Sequence, residues 1–441
     1  MDIAYLISMV LSSEAVATVM DPKQYGEIFF YIGIATIGAG IALLATQNSV
    51  IVYLGKKIPL QSTLYSFTLI AMIVGSTVLI LLFYQLDLVL IFIAFVIHTM
   101  AIGNILGRKK FSEYLEKFGI DCKLVIDIET CNGFPSKNIT QWINPLKKFN
   151  LLVESFKPDA VFVDRQTQFG IGTIKAEIPL LMQLRGNYWD EVKWAKKNFS
   201  IKDKTILSIR EKIAEDCFRE SKMILPFSKH LSEIVSKKYP NKKVEVFHDG
   251  LEIDDWYIEE PMNLKHPCVG LLQNASIWIK TQEMLSLKNI LEKFPNVTFY
   301  WAGDGIYRQK VLDVLEKYKN FKWLGNLEYP NKVRKFLSSI DLYLLLSGYD
   351  TFGMTIVEAE AMQVPIIATN IGGTSETMIN GKTGFLVNQG DIKEIEKNIT
   401  LLLNDKDFSK QMGNEGRKFV IENFSWENST KKFIQDMKDC L

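Results

Sequence analysis

The apolar residues follow different patterns on the two sides of residue 110. Long apolar runs occupy residues 28–53, 60–84 and 88–106, and residues 3–20 form a shorter fourth candidate. A helix of about 20 apolar residues can span a bilayer. Beyond residue 110, amphipathic helical stretches alternate with short apolar strands, as they do in α/β folds. The pattern therefore predicts three or four transmembrane helices followed by an α/β part.

The α/β part is expected to divide into two Rossmann-like lobes. Pro261, Asn263 and Pro267 interrupt both the helical and the strand periodicity, and such breaks mark loops. The expected bounds of the transmembrane region, the first lobe and the second lobe are 1–110, 111–262 and 263–441. The predicted strands lie at 123–128, 160–163, 180–184, 222–225, 244–247, 268–272, 298–302, 321–324, 342–346, 366–368 and 384–387.

Basic residues predict how the membrane region is oriented. Lys56 and Lys57 form one basic cluster and residues 107–110 form another, and one pair of predicted spans separates the two clusters. Basic loops stay on the cytoplasmic side of a membrane. Both clusters are therefore expected in the cytoplasm, with Leu86 in an outward-facing turn. We expect an integral protein of the cell membrane whose catalytic part is cytoplasmic.

Net charge and cysteine spacing argue against two kinds of ligand. The 441 residues carry a net charge of +1, which gives no overall basic field for nucleic acid. The five cysteines are scattered without the spacing of disulfide partners or metal ligands, which favours reduced thiols. We therefore expect no nucleic-acid partner and no metal site. No cofactor is expected either.

The most informative motif is the segment 348–361, with the sequence GYDTFGMTIVEAEA. It places Asp350 and Glu358 eight positions apart, on either side of Gly353 and of a helix that opens near Met354. Glycine lets the backbone approach a ligand closely, and the first amides of a helix bind phosphate oxygens. Carboxylates accept hydrogen bonds from sugar hydroxyls. The segment therefore predicts a site for a ligand that combines phosphate with sugar.

This segment resembles the donor site of the retaining glycosyltransferases of family 4, which have the GT-B fold. Their pattern is E-x7-E followed by EA-x-A-x-G-x-P; here Asp350 replaces the first Glu and Gln363 replaces the Gly. The resemblance covers about residues 115–441 and rests on several matches in the same order along the chain. Further matches are HDGL at 248–251 for "pNGvD", WAGDG at 301–305 for "ivGdG", LG at 324–325 for "flG" and FSW at 424–426 for "fsW".

The resemblance implies a nucleotide-sugar donor and hexosyl transfer, with retention, to a glycan or lipid-linked acceptor. Lys280 stands where the family has its phosphate-binding lysine, although residues 271–276 lack the partner Arg of the family. The implied catalytic residues are Asp350, Glu358 and Lys280. The implied donor-binding residues are Gly303, Gly305, Phe352, Gly353, Met354, Thr355, Glu358, Gly372 and Gly373.

Each of these residues also has a structural interpretation that stays open. Glu358 could be a favourable first-turn acid, Asp350 a turn residue and Lys280 a solvated lysine. The Gly372–Gly373 pair could form only a turn. Glu360, two positions after Glu358 on the same helix, is expected to be solvated.

The resemblance weakens in the first lobe. Residues 111–119 look like the end of the first helix of that lobe, so its opening strand and glycine-rich loop are expected to be missing. Arg185 stands where the family has the His of an "HG" pair. Its guanidinium could contact a donor or acceptor phosphate, or form a structural salt bridge. The first lobe is therefore expected to be incomplete.

The amino-terminal segment resembles the first spans of polysaccharide flippases, through residues 20–27, 47–49 and 103–111. Such transporters have many more spans, so transport by this chain alone is not expected. We expect a membrane-anchored glycosyltransferase. The open alternative is a non-enzymatic membrane protein whose degenerate second lobe binds a nucleotide sugar or serves as a scaffold.

Overall fold

The computed structural model describes residues 107–126, 130–131, 146–198 and 201–440. All of these residues belong to one compact unit. The predicted transmembrane runs lie outside the described residues and stay predictions. Among the described residues, no helix combines the length and the apolar character that crossing a membrane requires.

Residues 107–117 form a helix, α1, that packs into the first lobe. The sequence analysis assigned residues 107–110 to a basic membrane flank, and the structure corrects this boundary. Arg108 is buried, and Phe111 and Leu115 lie in the apolar core of the first lobe. The first lobe therefore includes residues 107–110.

Four parallel strands form the sheet of the first lobe. They are β1 (Val161–Val163), β2 (Leu180–Leu184), β3 (Met223–Pro226) and β4 (Lys243–Val244), in the spatial order β1-β2-β3-β4. β2 is buried along its whole length, because residues of this strand pack into apolar cores on both faces of the sheet. Continuous apolar strands of this kind are typical of parallel sheets.

The predicted strand at 123–128 is not formed over residues 123–126, the part of it that the structure describes. Within the described residues, β1 pairs with β2 and with no other strand. The described part of this sheet thus has four strands and ends at β1.

The helices of the first lobe alternate with its strands. They are α2 (Lys147–Phe156), α3 (Gln168–Lys175), α4 (Tyr188–Asn198), α5 (Ile201–Glu220) and α6 (Lys229–Lys238). The Ser228 hydroxyl caps α6 by accepting a hydrogen bond from the Leu231 amide, which satisfies one of the free amides of the first turn. Since α4 follows β2 and α6 follows β3, both helices begin at the carboxyl edge of the sheet.

Six parallel strands form the sheet of the second lobe. They are β5 (Cys268–Leu272), β6 (Thr298–Ala302), β7 (Phe321–Gly325), β8 (Leu342–Leu345), β9 (Ile366–Thr369) and β10 (Phe385–Val387), in the spatial order β10-β9-β8-β5-β6-β7. The predicted bounds of these strands agree with the observed bounds to within one residue at each end. The carboxyl ends of parallel strands lie at one edge of a sheet, so the loops that follow β5, β6, β8 and β9 meet there.

Helices and two apolar cores cover both faces of this second sheet. The helices are α7 (Trp278–Thr281), α8 (Leu287–Lys293), α9 (Arg308–Leu315), α10 (Asn331–Leu337), α11 (Met354–Ala361), α12 (Ile392–Asn404), α13 (Lys406–Asn423) and α14 (Trp426–Lys438). The side chains of Asp391, Asp405 and Ser425 cap α12, α13 and α14.

The last helix, α14, crosses back to the first lobe. The Leu251 amide donates to the Phe424 carbonyl at 2.7 Å, and the Trp426 amide donates to the Leu251 carbonyl at 3.1 Å. Position 250 requires glycine for a steric reason, because a Cβ atom there would lie 2.3 Å from the Trp426 backbone nitrogen. Phe433 of α14 then packs in the same core as Phe111. The motifs at 248–251 and 424–426 thus join the two lobes.

Candidate functional site

Glycines allow two loops to touch at the carboxyl edge of the second sheet. Gly303 and Gly305 have φ angles of 154° and 151°, a region that side chains disfavour. A Cβ atom on Gly303 would lie 2.0 Å from the Gln273 carbonyl oxygen, and one on Gly305 would lie 2.4 Å from the Ala275 carbonyl carbon. The two predicted donor-site glycines therefore hold the loops after β5 and β6 together, and any donor contact would come through their backbone.

Lys280 and Asp350, both predicted as catalytic, form an ion pair beside these loops. Lys280 lies in the short helix α7, which follows β5, and Asp350 lies in the loop that follows β8. The Lys280 Nζ atom lies 2.6 Å from Asp350 Oδ2, and the two side chains are 27% and 11% exposed. The structure thus brings a cation and a carboxylate together at the edge where ligands of such sheets bind.

The loop after β8 ends in a turn that starts α11. Gly353 has a φ angle of 101° and precedes the first helical residue, Met354. No side chain caps this end of α11, so its first amides keep their capacity for an anionic ligand. The Thr355 hydroxyl instead accepts a hydrogen bond from the Tyr343 hydroxyl at 2.7 Å. Backbone amides, rather than the Thr355 side chain, are therefore the donors that α11 offers.

The side chain of Phe352, a residue predicted to bind the donor, lies in the apolar core. The ring is 3% exposed and stacks on His248 with centroids 5.4 Å apart. Rings of Phe227 and Phe424 meet it edge-on at 5.1 and 5.6 Å. Burial lowers the pKa of His248 to about 4, so the stacked imidazole is neutral at pH 7. The buried Phe352 ring anchors the loop that follows β8 to the core. A ligand can contact this residue through its backbone.

Gly372 and Gly373 support the same loop from the side of β9. A Cβ atom on Gly372 would lie 1.9 Å from the Asp350 carbonyl oxygen, and one on Gly373 would lie 2.2 Å from the Thr351 carbonyl oxygen. Gly372 also has a φ angle of 56°. The Gly373 amide donates to the Asp350 carbonyl at 3.3 Å. Both glycines therefore position the loop that carries Asp350.

Glu358 lies on the second turn of α11, where it is buried and keeps its proton at pH 7. The residue is 7% exposed, and burial raises the pKa of its carboxyl to about 8, while the neighbouring Tyr329 side chain has a smaller opposing effect. Tyr329 has 47% of its surface exposed, so its ring reaches from the solvent to the buried acid. Tyr329 carries no motif signal, and the sequence analysis missed it.

The prediction that Glu360 is solvated is wrong. The residue has 0% exposure, and Gly416 of α13 packs against its side chain. Neither carboxylate oxygen has a hydrogen-bond partner; Thr383 approaches the group without reaching normal hydrogen-bond geometry. Burial raises the pKa of Glu360 well above its ordinary value. An unpaired acid in an apolar layer destabilises the fold.

We expect Glu360→Met to increase the free energy of unfolding at pH 7 by about 1–3 kcal/mol, the cost of an unpaired buried polar group. Because the pKa of Glu360 is higher in the folded than in the unfolded protein, the wild type loses stability as the pH rises above about 4.5. The gain from the substitution should therefore be small at pH 4 and larger at pH 7. Denaturant unfolding at both pH values measures it. The matched variant Glu360→Gln should remove the contribution of Glu360 to the pH dependence of stability, with a smaller gain in stability at pH 7. A destabilised Glu360→Met protein would refute the interpretation.

Gln363 occupies the motif position at which the family has glycine. Its φ angle is 61°, a conformation that glycine adopts without strain and other residues disfavour. The Gln363 side-chain amide donates to Oδ1 of the Asn414 side chain at 2.9 Å, which partly offsets that strain. The backbone thus keeps the turn of the motif although the glycine is gone.

Arg185 forms salt bridges within the first lobe. Its Nε atom donates to Asp164 at 2.6 Å, and a terminal nitrogen donates to Asp249 at 2.6 Å. Arg108 of α1 contacts the same two acids at 3.2 and 2.8 Å and also bonds to Gln183. Burial alone would raise the pKa of Asp249, but the two arginines hold this pKa below its ordinary value. Of the two interpretations of Arg185, the salt bridge is therefore formed.

Two polar contacts connect the first lobe to the loops of the second. The Thr351 hydroxyl donates to the Arg185 carbonyl at 3.1 Å. The Glu376 carboxylate accepts from the amides of Lys229 and His230 at 2.6 and 2.8 Å, at the amino end of α6. A carboxylate is favourable at a helix amino terminus. No sequence motif predicted this contact between the lobes.

Part of the second lobe matches a known family. Residues 282–419 match the family described as "Glycosyl transferases group 1". This segment contains Asp350, α11 and Glu358, while Lys280 lies just before it.

Curated relatives match parts of the chain. The capsular polysaccharide biosynthesis glycosyltransferase CapM of Staphylococcus aureus is 34% identical over 108 residues, which is 24% of this chain and 28% of that protein. The N-acetyl-alpha-D-glucosaminyl L-malate synthase of Bacillus anthracis is 26% identical over 214 residues, which is 46% of this chain and 55% of that protein. The chain spans from 28% to 61% of the length of the first curated relatives it matches.

Solved structures share the fold. Sucrose-phosphate synthase from Thermosynechococcus elongatus superimposes with a TM-score of 0.58 at 16% identity, covering 76% of this chain and 93% of that one. Anabaena Alr3699/HepE in complex with UDP-glucose gives a TM-score of 0.54 at 17% identity, with 74% and 88% covered. The chain therefore has an α/β, GT-B-like fold with parallel sheets. These matches do not show a flippase-like amino-terminal segment, and that resemblance stays a prediction.

Proposed function

We propose that this protein is a membrane-anchored glycosyltransferase that moves a hexosyl group from a nucleotide-sugar donor to a glycan or lipid-linked acceptor, with retention of configuration. The observation that carries the proposal is the Lys280–Asp350 ion pair, 2.6 Å long, next to the uncapped amino end of α11. The match of residues 282–419 to group 1 glycosyltransferases supports the same function.

The leaving diphosphate is proposed to bind at the start of α11. The amides of Met354 and Thr355 and the ammonium of Lys280 supply hydrogen bonds and positive charge where the phosphate oxygens gain negative charge as the glycosidic bond breaks. In the free site the Asp350 carboxylate holds the Lys280 side chain. Asp350 thus positions the cation before the donor arrives and can contact a sugar hydroxyl afterwards.

Glu358 is proposed to bind the ribose of the donor. Because its pKa is about 8, the carboxyl is protonated at pH 7 and can both donate and accept a hydrogen bond. A ribose hydroxyl would take the place that the Tyr329 hydroxyl has in the free protein. Recognition then needs the hydrogen-bonding groups of this side chain and not its negative charge.

We expect Glu358→Ala to weaken donor binding by about 1–3 kcal/mol, the cost of leaving a buried polar partner unpaired. The matched variant Glu358→Gln, which is neutral and keeps both a donor and an acceptor, should bind nearly as well as the wild type at pH 7. Calorimetric titration with UDP-glucose and other nucleotide sugars measures both. Equal losses in the two variants, or no binding of any nucleotide sugar by the wild type, would refute the ribose assignment.

Membrane anchoring is proposed from the apolar runs before residue 107, which lie outside the described residues. A reporter fused after Lys110 is expected to be cytoplasmic and one inserted at Leu86 to be outside, because basic loops remain in the cytoplasm. A protected, external carboxy-terminal part would contradict both the orientation and the use of a cytosolic nucleotide sugar.

The alternative function is donor binding without transfer. Two observations favour it: the described part of the first-lobe sheet has only four strands, and residues 271–276 contain no arginine. Saturable donor binding without release of nucleoside diphosphate, in the presence of acceptor extracts, would establish this alternative.

A further inference from the structure

Three potential metal ligands converge at the end of the second-lobe sheet that lies opposite the donor loops. They are His266, Cys268 and Asp341, whose ligand atoms all lie within 4.8 Å of one another. Cys268 begins β5 and Asp341 directly precedes β8, whereas the donor loops follow the carboxyl ends of these strands. The cluster is therefore separate from the proposed transferase site.

The fold explains why these side chains meet. His266 lies in the bend that leads into β5, two positions before Cys268. β5 and β8 are neighbours in the sheet, and the Asp341 amide donates to the Cys268 carbonyl at 3.2 Å. The start of one strand thus supplies nitrogen and sulfur, and the start of its neighbour supplies oxygen.

The distances between the ligand atoms suit one small cation. The Cys268 Sγ atom lies 3.6 Å from His266 Nδ1, and His266 Nδ1 lies 2.7 Å from Asp341 Oδ2. The Cys268 amide donates to Asp341 Oδ2 at 2.8 Å, which fixes the orientation of the carboxylate. Ligand bonds of about 2.0–2.3 Å in a tetrahedral arrangement require only a small outward movement of the imidazole.

The surroundings allow a cation to enter. The His266 side chain is 52% exposed, so the cluster opens to solvent on one side while Cys268 closes it on the other. The Lys406 ammonium lies 3.4 Å from Asp341 Oδ1. Lys406 is itself well exposed, so its side chain can turn into water and leave that carboxylate oxygen to the cation.

We propose that His266, Cys268 and Asp341 bind Zn²⁺. A set of one imidazole, one thiolate and one carboxylate suits this borderline-soft ion, and water would complete a four-coordinate site. The Cys268 thiol is protonated in the free site and releases its proton to solvent as the zinc–sulfur bond forms. Bound zinc ties β5 to β8 and stabilises the second lobe.

No metal site was predicted because the chain has no local series of metal ligands. His266 and Cys268 form only one short pair, and the third ligand lies 73 residues beyond Cys268. Strand pairing brings them together, and no local spacing reveals that.

Co²⁺ as a spectroscopic probe of the full chain, freed of metal beforehand, tests the site. The wild type should show a thiolate-to-cobalt charge-transfer band that excess Zn²⁺ removes. Cys268→Ser should abolish the band, whereas the matched control Cys440→Ser should retain it. His266→Gln, a change at an exposed side chain that leaves the core intact, should weaken Zn²⁺ binding by about 10–100-fold or more.

Thermal unfolding gives a second readout. Zn²⁺ should raise the Tm of the wild type and leave that of His266→Gln and Asp341→Asn nearly unchanged. The proposal is overturned if the charge-transfer band is absent, if it persists in Cys268→Ser, or if Zn²⁺ stabilises the wild type and both variants equally. None of these results depends on glycosyl transfer, so the zinc site and the proposed function fail or succeed separately.

Discussion

Replacing Lys280 with methionine is expected to lower the rate of glycosyl transfer by about 10²–10³-fold, the usual cost of removing one group that stabilises developing negative charge. The ammonium lies 2.6 Å from Asp350 Oδ2, beside the helix start that is proposed to hold the leaving diphosphate. Because residues 271–276 offer no second cation, the remaining positive character would come from helix amides alone. Steady-state kinetics with a nucleotide-sugar donor measures the effect, and kcat should fall more than KM rises.

A matched lysine controls for the loss of charge in the same lobe. The Lys310 ammonium lies 4.6 Å from the centroid of the Trp278 ring and 5.3 Å from that of Tyr307. Lys310→Met should leave kcat nearly unchanged. If the two variants behave alike, or if Lys280→Met raises KM alone, Lys280 does not act on the leaving group.

Arg108→Met is expected to destabilise the first lobe by about 3–5 kcal/mol, as measured for other buried ion pairs that lose one partner. Arg108 bonds to Asp164, Asp249 and Gln183, and its guanidinium lies 5.2 Å from the centroid of the Phe162 ring. Without it, Arg185 alone would compensate two carboxylates. Denaturant unfolding, or hydrogen exchange of the amides in β1 and β2, measures the loss.

Comparing Arg108→Met with a substitution of the neighbouring Lys109 distinguishes a structural role of residues 107–110 from a role at the membrane. The Lys109 side chain is 44% exposed and pairs with Glu113 at 3.9 Å, so Lys109→Met should change stability by about 0.5 kcal/mol or less. If residues 107–110 served only as a basic membrane flank, the two substitutions would have similar small effects on stability. That outcome would support the assignment of residues 107–110 to the membrane region.

The sequence predicts the second lobe well because its signals are local. Short apolar runs bounded by turns mark strands such as β5, and glycines at 303, 305, 353 and 372 stand where the backbone takes positive φ angles. Such positions depend on nearby residues and can be recognised without knowing the fold. The motifs marked Lys280 and Asp350 as site residues, whereas the ion pair between them was not predicted and is a finding of the structure.

The errors concern residues whose surroundings come from distant parts of the chain. Glu360 lies on the opposite side of α11 from Glu358, and that side is exposed only if nothing packs there; α13 covers it. Arg108 follows an apolar run and looks like a membrane flank, yet its partners Asp164 and Asp249 are 56 and 141 residues away. Glu376 caps a helix that begins 147 residues earlier. No local pattern contains these contacts.

The most direct test of the proposed function is to follow UDP-glucose, and then other nucleoside diphosphate α-sugars, by NMR in the presence of the purified full chain and acceptor extracts. The proposed function predicts that nucleoside diphosphate is released and that the first product to form carries the sugar in the α configuration. Release should be lost in Lys280→Met. A product that first forms with the β configuration would contradict retention, and the absence of both binding and release for every donor would contradict the proposed function itself.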